Sequence, residues 1–178
     1  YRGHRAAVPE EVPFIECDLA DRGAMATALS EHAIDCVMHF AALAYVGESV
    51  NDPLSYYHNN TAGTVNLLRA MDEAGVKRMV FSSTCATYGE PEQVPLVETT
   101  PQRPINPYGW SKYFVERVLQ DYAAADAAFG AAALRYFNVA GSAADGSLGE
   151  DHDPETHIIP VLLQAALGQR DTVTIFGT

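Results

Sequence analysis

Cysteine is scarce in this 178-residue chain: Cys17, Cys36 and Cys85 stand far apart, too few for a disulfide framework or a thiolate zinc site. Buried, reduced thiols in a cytoplasmic compartment are expected, with Cys17 and Cys36 inside or ending strands. Basic residues are also few. Eleven Lys and Arg face 23 Asp and Glu, a net charge of −12, which disfavours a nucleic-acid partner. No run approaches the roughly 18 apolar residues of a membrane span. The first residues, Tyr-Arg-Gly-His-Arg, contain neither an initiator Met nor an apolar signal core, so the chain reads as cut at both ends. The six histidines are dispersed. The one close pair, His152 and His157, reads as loop polarity, and no metal is expected.

What is present is a soluble-domain composition, 48% apolar and 19% charged, enough for a core. Four short apolar runs predict strands: Pro13-Phe-Ile-Glu-Cys17, Asp35-Cys-Val-Met-His-Phe40, Arg78-Met-Val-Phe-Ser82 and Ala132-Ala-Leu-Arg-Tyr-Phe137. Between them lie helical patterns. One runs from Asp21, a candidate N-cap, to Glu31. A long one opens at Pro53, with Tyr57, Thr61, Val65, Leu68 and Met71 on one stripe, and closes at Gly75. Another covers residues 107–126, and a fourth runs from Ile158 to Leu167. Residues 140–155 are Gly/Asp/Ser-rich and predict a mobile loop.

Strands alternating with helices predict an α/β fold, a doubly wound parallel sheet. In such a sheet ligands sit beyond the strand carboxyl ends, which singles out Asp18, Phe40-Ala41-Ala42, Ser83-Thr84 and Asn138. One expected feature is missing. Neither G-x-G-x-x-G nor G-x-x-G-x-x-G occurs, the turn whose amides approach a dinucleotide pyrophosphate. Either such a cofactor does not bind, or that unit precedes Tyr1.

Tyr108-Gly-Trp-Ser-Lys112 places a phenol and an ammonium one helical turn apart. A free phenol, with pKa about 10, is a poor base at neutral pH. A nearby cation is expected to lower that pKa and make Tyr108 a proton shuttle. Read alone, the pair is equally an exposed helix-surface contact. Thr84 adds weight, because it follows a strand and its hydroxyl could meet the same substrate oxygen.

Phe81-Ser-Ser-Thr-Cys-Ala-Thr-Tyr-Gly89, Pro107-Tyr-Gly-Trp-Ser-Lys112 and Leu134-Arg-Tyr-Phe-Asn138 together resemble the extended short-chain dehydrogenase/reductases, the NAD-dependent epimerase/dehydratase family. His39-Phe-Ala-Ala42, Val46-Gly-Glu-Ser-Val50, Tyr56-Tyr-His-Asn-Asn60, Gly149-Glu-Asp151 and Thr174-Ile-Phe-Gly177 extend the resemblance over essentially the whole chain. It implies a Rossmann-like sheet lacking its first strands. Residues 1–139 would be a partial NAD-binding domain, and 140–178 the start of a nucleotide-sugar-binding domain. The activity implied is reversible epimerisation of a UDP-hexose at C4 through a 4-keto sugar, with tightly bound NAD.

The resemblance also distributes roles. Thr84, Tyr108 and Lys112 would be catalytic. Tyr1, Arg2, Gly3, Asp18, Leu19, Phe40, Ala41, Ala42, Asn59, Thr84, Tyr108, Lys112 and Phe137 would contact NAD. Thr84, Tyr108, Asn138, His157, Thr174, Ile175 and Phe176 would contact the sugar nucleotide. His157 stands where many relatives carry Asn, and Ala44 replaces a lysine found in some. A dehydratase would place an Asp-Glu pair directly after the Thr, where this chain has Cys85-Ala86. A decarboxylase, or an idle nucleotide-binding fragment, stays open. The two long helices imply a homodimer, and the isolated 178-residue piece is expected to be marginally stable and inactive.

Overall fold

The computed structural model describes residues 3–152 and 155–174. It falls into two compact units: Ile15–Phe137, and a second combining the segment that ends at Phe14 with the segment that starts at Asn138.

In the larger unit, β1 (Val37–His39), β2 (Arg78–Thr84) and β3 (Gly130–Tyr136) form one parallel sheet in the order β1-β2-β3. Val37 lies opposite Met79, His39 opposite Phe81 and Thr84 opposite Tyr136. The sheet brings the carboxyl ends of all three strands to one edge. Three of the four predicted strands are therefore present. Pro13-Phe-Ile-Glu-Cys17 is not one: no ladder partner lies beside it among the described residues, and Phe14 and Ile15 are exposed. An apolar run becomes a strand only where a neighbour takes its N–H and C=O groups. The thiol expectation fails with it, since Cys17 is only half-buried and Cys36 is exposed; all three cysteines are free.

Helix starts follow local chemistry. Asp21 caps α1 (Arg22–Glu31), its carboxylate accepting from the Ala24 N–H at 2.9 Å. Asn106 caps α5 (Pro107–Ala125) through the Gly109 N–H at 2.8 Å, with Pro107 at the first helical position. The short α2 (Val46–Asn51) was not evident from periodicity. The single helix expected from Pro53 to Gly75 has three parts: α3 (Pro53–Tyr56), a π-helical turn at Tyr57–Ala62, and α4 (Gly63–Glu73). Gly75 follows with φ +74°, the left-handed stop a glycine adopts freely. The wide turn places Asn60 inward, 2% exposed. Its side chain donates to Leu43 O at 2.9 Å and Ser111 Oγ at 3.0 Å, and accepts from Leu43 N at 2.8 Å. One side chain thus ties the π turn to α5 and to the segment after β1.

The apolar core joins Met25 of α1, Leu67, Leu68, Ala70 and Met71 of α4, Val115 and Leu119 of α5, and Met79 and Phe81 of β2. The helices cover the sheet face bearing His39, Phe81 and Ser83; Met38 and Leu134, on the other face, are 63% and 41% exposed. The smaller unit holds a 3₁₀ turn (Arg5–Ala7) and α6 (Ile158–Ala166). No helix of the described residues is long and apolar enough to cross a membrane.

Candidate active site

Thr84 closes β2 at the carboxyl edge of the sheet, and a 3₁₀ turn (Cys85–Thr87) follows it at once. The Thr84 hydroxyl accepts from the Ala86 N–H at 3.1 Å and lies within hydrogen-bonding reach of the Tyr108 phenol. This approach depends on Gly109. A Cβ there would stand 2.7 Å from the Ala86 carbonyl oxygen, so only glycine lets the first turn of α5 press against the turn after Thr84. The Tyr56 ring meets Tyr108 edge-on, with centroids 6.4 Å apart and planes at 85°. Tyr56 is itself fully buried and donates to Tyr45 O at 2.7 Å.

Lys112 is 3% exposed. Its ammonium donates to the backbone carbonyl of Ser82 at 2.8 Å and sits 4.9 Å from the centre of the Phe81 ring. Burial drives its pKa down to about 8. Next to it His39, also buried, is held down to about 4, first by burial and then by the Lys112 charge. The His39 tautomer follows from its partner. Thr64 Oγ1 donates to Asn60 O at 2.6 Å, so at 2.9 Å from His39 Nε2 it accepts, and Nε2 carries the proton.

Here one expectation is corrected. The ammonium one turn away was expected to lower the Tyr108 pKa; instead burial raises it, and a hydrogen bond from Thr84 only partly opposes that rise. Desolvation of the phenolate outweighs the helix-spacing argument. At rest Tyr108 is a protonated phenol, and the Lys112 ammonium is committed to the strand.

Behind the site Glu116 accepts from Ser83, from Gln102 at 2.9 Å and from Arg135 at 2.7 Å. Burial pushes the Glu116 carboxyl up, but these donors outweigh it and leave the pKa below the usual carboxylate range. The network fixes the α5 stripe that carries Tyr108 and Lys112 against β2 and β3.

The remaining candidates divide by location. Phe40 and Phe137 follow β1 and β3 and are 55% and 60% exposed, so neither is a core aromatic. Ala41 is exposed and Ala42 half-buried beside Phe40. Asn59 donates to Asn60 Oδ1 at 2.9 Å on the π turn. Asp18 is exposed and accepts from the Ala20 N–H at 2.8 Å; Leu19 packs against the core. Gly3, Asn138, His157 and Thr174 belong to the smaller unit and are exposed. Tyr1, Arg2, Ile175 and Phe176 lie outside the described residues.

Lys112 carries three N–H donors and meets one acceptor among the described residues. Phe40 and Phe137, both more than half exposed, follow the strands on either side of β2. These features fit a ribose and a flat heteroaromatic ring, the nicotinamide half of a dinucleotide.

Sequence reasoning assigned no role to Asn60, His39, Tyr56 or Glu116. The available signal was polar residues on otherwise apolar stripes, Asn60 and Thr64 four apart and Lys112 and Glu116 four apart.

The model of the NAD dependent epimerase/dehydratase family matches residues 1–178. The chain belongs to that family. It is 53% identical over 178 residues to the UDP-glucose 4-epimerase of Streptococcus mutans, covering 98% of this chain and 53% of that one. The UDP-glucose 4-epimerase of Lacticaseibacillus casei is 51% identical over 177 residues, with the same coverage. Among solved structures, that of UDP-glucose 4-epimerase from Brucella ovis in complex with NAD superposes with TM-score 0.92 at 47% identity, over 97% of this chain and 52% of that one. The Bifidobacterium longum enzyme in complex with NAD+ and UDP gives TM-score 0.85 at 39% identity, over 92% of this chain and 49% of that one. The chain spans about half the length of the curated relatives it matches. The family fold and the parallel Rossmann-like sheet agree.

Proposed function

We propose that the whole protein is a UDP-glucose 4-epimerase, interconverting UDP-glucose and UDP-galactose with NAD bound at the carboxyl edge of the sheet. The observation that carries this reading is the Thr84 hydroxyl within hydrogen-bonding reach of the Tyr108 phenol, with Lys112 one turn along α5 and Cys85-Ala86 where a dehydratase would need an acid pair. Phe40, Phe137 and Asn59 would flank the nicotinamide side, and Asp18, Leu19, Ala41 and Ala42 the rest of the cofactor. Asn138, His157 and Thr174 would contact the sugar nucleotide. NAD, when bound, supplies a hydride acceptor and donor. Thr84 orients the sugar 4-hydroxyl, and Tyr108, once its own phenol proton has passed to solvent, takes the 4-hydroxyl proton at its oxygen and returns it to the same sugar oxygen after the ketone has presented its other face. Lys112 holds positive charge beside the phenol and donates its remaining N–H groups to the ribose. This chemistry belongs to galactose metabolism in the cytoplasm.

A homodimer completes the proposal. Tyr57, Trp110 and Phe114 pack within 6.0 Å centroid separations across the π turn and α5, while Phe114 and Leu54 are 41% and 78% exposed. That apolar stripe supports pairing of two copies. Replacing Phe114 with Glu should convert the dimer to a monomer by light scattering.

The deciding experiment supplies UDP-galactose to the whole protein and identifies the product. UDP-glucose is expected; a 4-keto-6-deoxy sugar, or carbon dioxide released in a parallel incubation with a UDP-hexuronate, would overturn the reading. Tyr108→Phe should lower kcat on the order of 10²–10⁴-fold while UDP binding persists.

A further inference from the structure

The loop ahead of α6 brings together four side chains, of which only His157 has a place in the proposed activity. Glu150, His152, Glu155 and His157 each offer one ligand atom, and these atoms all lie within 4.8 Å of one another. The two imidazoles present the same nitrogen to the same two carboxylates. His157 Nδ1 is 2.9 Å from Glu155 and 3.0 Å from Glu150, while His152 Nδ1 is 3.5 Å from Glu150 and 3.8 Å from Glu155. The two rings lie tilted at 47° to each other, with centroids 4.6 Å apart.

Bond lengths decide what such a set could hold. In a tetrahedral zinc site, with bonds of about 2.0–2.2 Å, neighbouring donor atoms lie about 3.3–3.5 Å apart. The imidazole–carboxylate distances of 2.9–3.8 Å already bracket that edge. Part of the site is also fixed in advance. The Glu155 side chain is 7% exposed, and its Oε1 accepts from the Thr156 and His157 N–H groups at 2.7 and 2.8 Å, the kind of outer hydrogen bonding that orients ligands. Two carboxylates supply two negative charges for one dication. Two imidazoles among the donors select zinc, cobalt or nickel over magnesium or calcium, which take oxygen-only shells.

We propose that Glu150, His152, Glu155 and His157 form a binding site for a zinc-class divalent cation. Four protein ligands leave no open position, so the site pins the loop entering α6 and does not activate water. It takes His157 through Nδ1 and leaves Nε2 pointing away, compatible with a contact to substrate. The proposal does not depend on the epimerase reading.

The test is zinc titration of the whole protein against a chromophoric chelator, with X-ray absorption at the zinc edge. One equivalent is expected, with four nitrogen and oxygen ligands near 2.0 Å, imidazole scattering and no sulfur. The His152→Ala, His157→Ala double variant should bind about 100-fold more weakly or worse, and Glu155→Gln should also weaken binding. Both histidines are exposed, so folding is checked by circular dichroism and should not change. No zinc uptake, affinity unchanged in the double variant, or sulfur in the zinc shell would each overturn the assignment.

Discussion

The Lys112 ammonium donates to the Ser82 carbonyl at 2.8 Å, one residue before the end partners Ser83 and Thr84 of the same strand. A cation buried to 3% exposure and hydrogen-bonded to a strand carbonyl is held for a purpose other than stability. Its position costs free energy, because the chain must strip water from the charge.

That cost is measurable. The Lys112 pKa falls from 10.5 to about 8 on folding, so between those values the unfolded chain binds more protons, and stability rises with pH through that window. At 1.36 kcal/mol per unit the penalty near neutral pH is about 3 kcal/mol; losing the Ser82 bond returns about 1 kcal/mol. Lys112→Met should therefore unfold about 2 kcal/mol later at pH 7 by urea titration, with the gain shrinking toward pH 10. Activity of the whole protein should fall in the same variant. A less stable Lys112→Met at pH 7 would contradict the burial argument.

His39 makes the fold acid-sensitive. Its folded pKa is about 4 against 6.5 unfolded, so the unfolded state takes up the extra proton. Stability is intact above pH 6.5 and is lost as pH falls toward 4. His39→Gln keeps a donor for Thr64 and cannot titrate. Its denaturation midpoint should fall less steeply than wild type over pH 6.5–4, and equal slopes would remove His39 as the cause.

Asn60 holds the π turn. Removing its side chain with Asn60→Ala leaves the Leu43 N–H and C=O without that partner and takes one donor from the Ser111 hydroxyl, which still donates to Tyr108 O at 2.7 Å. Unsatisfied buried groups cost about 1–3 kcal/mol each before relaxation, so a loss of about 3 kcal/mol is expected in urea unfolding. Asn59→Ala, on the half-buried neighbour, should cost far less. Equal effects would mean the turn is held by α3 and α4 alone.

Much of this molecule is local in origin. Asp21, Asn106, Pro107 and Gly75 set helix ends because capping and left-handed stops involve residues within one turn. Three strand runs, the parallel order they imply, and the placement of Thr84, Tyr108 and Lys112 at one sheet edge were legible for the same reason, together with motifs shared across a family. What the sequence left open depends on distant neighbours. Pro13-Phe-Ile-Glu-Cys17 has strand composition but no partner strand among the described residues. The π turn exists because Leu43 and Ser111, 17 and 51 residues from Asn60, draw that side chain inward. The direction of the Tyr108 pKa, the Ser82 acceptor of Lys112 and the meeting of two loop histidines with two glutamates came only with the tertiary structure. Desolvation and charge sum over everything packed around a group, and spacing along a helix reports one neighbour at a time.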